Sequence, residues 1–153
     1  MTEMQGTHGW RPAHTWTALA AIVLLAAGLR LYRLDSLPAG LHFDEAANGM
    51  LGLDILAGKL PIFFSAYNGR EALYHYLVAL CIELSGRNVL AVRLPAALAG
   101  VALVIVVFLV GRRSIGTGGA LLAAGATAGA SWLLHLNRIG FRANLLPLTL
   151  SLW

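Results

Sequence analysis

The sequence is short of charge: only 12% of its 153 residues are charged, against 58% hydrophobic, where soluble domains carry about 25% charged residues. That shortage excludes an ordinary water-soluble domain and makes the lipid bilayer the expected solvent. Acidic residues are scarcest, 7 against 11 basic, for a net charge of +4. The basic residues stand singly or in pairs between apolar runs, without the clustered face of a nucleic-acid binder, so nucleic acid is excluded as a partner. The single cysteine, Cys81, rules out an intrachain disulfide and a cysteine-based metal site, and its apolar neighbours make it packing material. No repeat, low-complexity tract or Ser/Pro linker interrupts the chain, which reads as one module.

What the chain does have is a series of apolar runs. Residues 12–29 are free of charge and long enough to cross a hydrocarbon core, with Trp10 and Trp16 at the interface. Residues 94–111, between Arg93 and Arg112-Arg113, make a second crossing, and residues 120–136, dense in Gly, Ala and Ser, a third. Residues 145–153 open a fourth run that stops at roughly half of the ~20 residues a span needs, so the chain is expected to be truncated. The fold class is therefore all-α, a set of polytopic transmembrane helices. Between the first two spans lies a large loop, residues 30–93. In it residues 37–40 form a turn, and residues 44–58 a short helix with Asp44, Glu45 and Asn48 on one side and Met50, Leu53 and Ala57 on another. Residues 72–86 would make about 22 Å of helix against a core of ~30 Å, which predicts a second helix lying at the membrane surface. A count of positive charges puts this loop in the cytoplasm.

Charged groups beside a span are costly and point to function. Three places qualify: His42-Phe43-Asp44-Glu45, Arg70-Glu71 ahead of His75, and Arg93 with Arg138 and Arg142. An acidic pair at a helix start offers one carboxylate to deprotonate a hydroxyl and another to hold a metal or an Arg. Equally, Asp44 caps the helix and Glu45 complements its dipole. Arg138 and Arg142, four apart, would reach one phosphate from a helix or tight turn, or else anchor a helix flank in headgroups. Arg93, ahead of Leu94-Pro95, reads as a helix start. His42 and His75 have no metal-ligand spacing.

In order along the chain stand Leu29-Arg30-Leu31-Tyr32-Arg33-Leu34, Phe43-Asp44-Glu45-Ala46, Ile55-Leu56-Ala57-Gly58-Lys59-Leu60-Pro61, Asn68-Gly69-Arg70-Glu71-Ala72-Leu73-Tyr74, Ala91-Val92-Arg93-Leu94-Pro95 and Arg138-Ile139-Gly140-Phe141-Arg142. This series resembles the GT-C glycosyltransferases, in particular family 39-like enzymes related to protein O-mannosyltransferases and aminoarabinose transferases, over nearly the whole chain after residue 15. The resemblance implies the N-terminal part of a GT-C module in a cell membrane, of the bacterial inner-membrane type. It puts the loop of residues 30–93, with its juxtamembrane helices, on the extracytoplasmic face, against the charge count. It implies inverting transfer of a sugar from a polyprenyl-phosphate donor to a hydroxyl of a glycan, lipid or protein. Asp44 would be the base and Glu45 its partner. Arg93 would support the loop or the acidic site, and Arg138 and Arg142 would meet the carrier phosphate. Glu71, where relatives often carry Pro or a polar residue, joins the substrate-side group. Relatives often carry Asp near Arg142; the Arg here argues against a bound divalent metal, although one held by Asp44, Glu45 and groups beyond residue 153 stays open. No cofactor is required. The competing readings are a non-enzymatic membrane scaffold or transporter-like protein, and an inactive fragment of such an enzyme.

Overall fold

A computed structural model describes residues 12–150. Trp10, Arg11 and the last three residues of the expected fourth run lie outside the described residues. The chain is helical, with helices α1 (Pro12–Leu31), α2 (Phe43–Leu56), α3 (Leu73–Ser85), α4 (Val89–Ser114), α5 (Gly116–Gly129), α6 (Ser131–Arg138) and α7 (Leu145–Leu150). A 3-10 turn at Arg142–Asn144 precedes α7. An antiparallel pair of two-residue strands, β1 (Phe63–Phe64) and β2 (Arg70–Glu71), adds a small hairpin between α2 and α3 that hydrophobic patterning did not announce.

Two helices, α1 and α4, are long and apolar enough to cross a bilayer, and α5 with α6 make a third crossing if that bent pair is one span. α4 is the axis of the molecule and packs against α1, α3, α5 and α6. Its 26 residues start earlier than the Arg93-Leu94-Pro95 signal suggested. The Oδ1 of Asn88 accepts a hydrogen bond from the N–H of Ala91 at 2.8 Å and so caps a helix that begins at Val89. Pro95 then lies inside the helix, where its missing N–H forfeits one hydrogen bond near the N-terminus. Arg93 consequently sits on a regular helical turn, pointing inward with 1% exposure.

The expected third span, residues 120–136, is not one straight helix. α5 stops at Gly129, and α6 leaves at 53° to it across Ala130. A break at membrane depth frees carbonyls that lipid cannot satisfy. Arg30, buried at the end of α1, supplies the partners: its Nη1 donates to the carbonyl of Ala128 at 3.0 Å and its Nη2 to that of Thr127 at 3.3 Å. Its Nε donates to Oδ1 of Asn137 on α6 at 2.9 Å. The helices α1, α4 and α5 close over a core of small and aliphatic residues, among them Ala26, Val104, Ala120, Ala124 and Ala128, with Phe108 as the one aromatic.

The ends of α1, α4 and α6 that border the loop come together: the chain leaves α1, builds α2, the hairpin and α3, and returns along α4, while α6 comes back to the same end. Arg112-Arg113 lie at the opposite end of α4. α3, at 13 residues, measures about 20 Å, too short for a ~30 Å core. It exposes Leu73, Leu80 and Leu84 on one side while Tyr74, His75, Val78 and Ile82 are buried.

Gly100 on α4 leaves room for the side chains of Arg30 from α1 and Asn137 from α6. A Cβ there would stand 2.1 Å from Oδ1 of Asn137 and 2.8 Å from Nε of Arg30. Gly100→Ala therefore breaks the Arg30–Asn137 contact, with an expected loss of about 1–3 kcal/mol. The expected outcome is a thermal midpoint several degrees lower in detergent. Gly125→Ala, where an added Cβ meets nothing within 4 Å, should leave the midpoint unchanged or raise it, and a thermal-shift assay on the two variants separates these outcomes.

Candidate functional site

The two acids that open α2 point to different partners, because successive residues on a helix are about 100° apart. Glu45 faces α4. Its carboxylate accepts from Nε and Nη2 of Arg93 at 2.5 and 3.1 Å, and both side chains are 1% exposed. It also accepts from the N–H of His42 at 2.8 Å, closing a capping box in which His42, not Asp44, is the N-cap residue. The remaining donors of Arg93 go to the carbonyls of Leu34 and Pro38 through Nη1, at 3.1 and 3.0 Å, and of Gly40 through Nη2, at 2.7 Å. Every N–H of this guanidinium is thus used. The Glu45–Arg93 pair fixes the start of α2 and the strap of chain leading to it, and engages both carboxylate oxygens of Glu45.

Asp44 faces the hairpin. Its Oδ1 takes a charge-assisted hydrogen bond from Nη2 of Arg70 at 2.7 Å, and its side chain keeps 37% exposure, whereas Arg70 keeps 5%. Arg70 is held in turn. Its Nη1 donates to Oδ1 of Asn48 at 2.7 Å, its Nε reaches the carbonyl of Tyr67 at 3.4 Å, and its guanidinium lies 5.6 Å from the centre of the Tyr67 ring. The hairpin turn that presents it carries Tyr67, Asn68 and Gly69 all at positive φ, 54°, 66° and 80°, a backbone that costs energy at the two non-glycine residues. Asn48, one helical turn after Asp44 and fully buried, donates through Nδ2 to the carbonyl of Gly140 at 3.0 Å. The single O–H of Tyr74 lies within reach of that same carbonyl, at 2.9 Å, and of the carbonyl of Val92, at 3.1 Å. Burial, followed by the charge of Glu45, pushes the Tyr74 phenol up, so it remains a neutral donor. Gly140 adopts φ +60°, and a Cβ there would meet the carbonyl oxygen of Val92 at 3.2 Å. The turn after α6 is thereby pinned against the loop.

The structure does not bring Arg138 and Arg142 to one anion. α6 ends at Arg138, and the Gly140 turn sends the two side chains apart. Arg138 caps the C-terminus of α1: Nη1 donates to the carbonyls of Leu29 and Arg30 at 2.7 and 3.2 Å, and Nη2 to those of Tyr32 and Leu37 at 2.8 and 3.0 Å. Arg142 pairs with Glu71 on β2 through Nη1 alone, and both keep appreciable exposure, 32% and 59%. Sequence reasoning named Arg70 and His75 without assigning them a task, and grouped Asn48 with both acids. The signal for Asn48 was its spacing of four from Asp44, which puts the two side chains on one helical face. Among the described residues no three His, Cys, Asp or Glu side chains converge as a metal-ligand set.

His75 is fully buried against Phe64 and Tyr74, with ring centroids 5.2 and 6.0 Å away. Its Nδ1 lies 3.0 Å from the carbonyl of Glu71 and its Nε2 3.2 Å from Oδ1 of Asn48. Burial pushes its pKa below the usual value; the Glu71 carbonyl opposes this, and the charges of Arg70 and Arg142 add to it. The unfolded chain therefore binds a proton at this residue before the folded one does, and stability contributed by neutral His75 falls as pH drops below ~6.5. His75→Gln should flatten that acid-side fall relative to wild type in thermal unfolding measured from pH about 7.5 to about 5.

A sequence profile of the family described as dolichyl-phosphate-mannose-protein mannosyltransferase matches residues 72–153, more than half of the chain, from the last residue before α3 onward. Neither the curated proteins nor the solved structures contain a match. The matched stretch holds Tyr74, His75, Arg93, Arg138 and Arg142, and through Arg93 and the Gly140 turn it carries the partners of Glu45 and Asn48. With its apolar crossings and its buried arginine network, the chain belongs to this mannosyltransferase family, among the membrane glycosyltransferases of the GT-C kind.

Proposed function

We propose that Asp44 is the general base of an inverting sugar transfer from a polyprenyl-phosphate carrier to an acceptor hydroxyl on the extracytoplasmic face. The observation that carries this reading is the division of labour in the acidic pair. Glu45 is consumed by Arg93 and the capping box, whereas Asp44 stands at the open edge, paired with Arg70 and accessible. A base must be both anionic and within reach of a hydroxyl.

In this reaction the acceptor oxygen attacks the anomeric carbon as Asp44 takes its proton. The bond to the carrier phosphate breaks on the opposite side, and the bonding electrons leave with the phosphate. Arg142 meets that growing charge, since its pair with Glu71 is partly exposed and, among the described residues, no hydrogen bond engages the other nitrogens of its fork. Arg138 takes a supporting part, because both of its terminal nitrogens hold carbonyls of the α1 terminus. Glu45 and Arg93 are positioning residues. The loop of residues 32–88 and the turn at Arg142 share one end of the helices, which gives the acceptor and the carrier a common side of the membrane.

In the full-length enzyme, Asp44→Asn should lower transfer about 10²–10⁴-fold with unchanged abundance, and near-normal transfer would remove Asp44 from the role. Glu45→Gln should instead lower abundance, because it strands Arg93 as a buried charge at a cost of about 3–5 kcal/mol; western blotting beside the transfer assay separates the two effects. For orientation, a Cys81→Ala background carrying Ala66→Cys should react with an impermeant maleimide from outside intact cells. Ser114→Cys should react only after permeabilisation, and the reverse pattern would overturn the extracytoplasmic placement.

A further inference from the structure

A cavity of about 360 Å³ opens on the side of α2 away from Arg70, between that helix, the end of α3 and the start of α4. Its size falls in the range of ligand pockets, on the order of 300–1,000 Å³. Its wall is apolar, made by Leu41, Ala46, Met50, Leu53, Ile82 and Val92, and Arg87 stands at its rim. Met50 and Leu41 are 57% and 51% exposed, so the wall continues into an open mouth. Glu45 also borders the space, but Arg93 neutralises its carboxylate.

Arg87 is exposed, and among the described residues no carboxylate pairs with it and no hydrogen bond engages its guanidinium. Its height relative to the bilayer follows from α4, whose 26 residues span about 39 Å against a core of ~30 Å. The first turn of α4 thus emerges from the hydrocarbon, and Arg87, two residues before it, lies at the level of headgroup phosphates. An apolar slot below an unpaired cation at that depth matches an anionic lipid: hydrocarbon enters the slot, and phosphate meets the guanidinium.

We infer that this cavity is a binding site for an anionic phospholipid of the surrounding bilayer, with one acyl chain between α2 and the start of α4 and the headgroup phosphate on Arg87. The site is separate from Asp44, which lies on the other face of α2, and it does not depend on the transferase reading. Its occupant holds α2 against α4 from the lipid side, as Glu45 and Arg93 do from within.

Native mass spectrometry of the delipidated full-length protein, titrated with phosphatidylglycerol and with phosphatidylcholine, tests it. Wild type should bind phosphatidylglycerol at least about fivefold more tightly, the value of one cationic contact at a membrane surface. Arg87→Glu should abolish that preference and Arg87→Lys should keep most of it. Ala46→Trp, at an exposed wall position, should fill the slot and abolish the tight site with Arg87 intact. Equal affinity for the two lipids in wild type, a preference that survives Arg87→Glu, or a tight site that survives Ala46→Trp would each overturn the proposal. Displacement of phosphatidylglycerol by an equimolar polyprenyl phosphate would also overturn it, assigning the slot to the sugar carrier.

Discussion

The loop that carries Asp44 depends on one guanidinium. Arg93 projects from the axis helix into the protein interior and spends all of its N–H groups on a carboxylate and three backbone carbonyls of the incoming strap. A buried ion pair is seldom worth much as a net gain, because removing two charges from water costs about what their attraction returns. Its weight here lies in geometry. The planar fork fixes directions as well as distances, so the start of α2, the turn before it and α4 have a single mutual arrangement.

Other arginines join elements in the same way. Arg30 closes the break between α5 and α6, Arg138 closes the end of α1, and Arg70 joins α2 to the hairpin. A helix terminus exposes carbonyls that water would satisfy in a soluble protein, and lipid offers them nothing. Arginine fits this task because it stays charged, reaches far and donates in several directions. That three arginines, Arg30, Arg70 and Arg93, are turned inward keeps part of the +4 from forming a basic patch for a polyanion. It also weakens the positive-inside count as a guide to orientation, since that rule concerns cations free to stay with the cytoplasmic leaflet.

What could be read in the sequence was whatever repeats along it. The apolar runs gave the crossings, and the short polar-flanked run before Gly86 gave α3 as a helix that does not span. The break at Ala130 was invisible, because Gly129-Ala130-Ser131 is also what tight helix packing uses; only the presence of Arg30, a hundred residues earlier in the chain, makes a bend there tolerable. The different fates of Asp44 and Glu45 were equally hidden, for a dipeptide does not disclose which neighbour lies on which side of its helix. Arg138 and Arg142 looked like one anion site because four residues make a helical turn, and Gly140 at φ +60° sends their side chains apart.

The carbonyl of Gly140 bears on how the chain assembles. During synthesis the loop with Asp44 leaves the ribosome well before the third crossing, yet two of its buried donors, Nδ2 of Asn48 and Oη of Tyr74, find their shared acceptor only there. Until that turn arrives, Nδ2 of Asn48 lacks this acceptor, while Oη of Tyr74 has the carbonyl of Val92. The polar network around Asn48 is therefore complete only once the bent helix pair is in place, whereas the Asp44–Arg70 pair lies wholly within the loop.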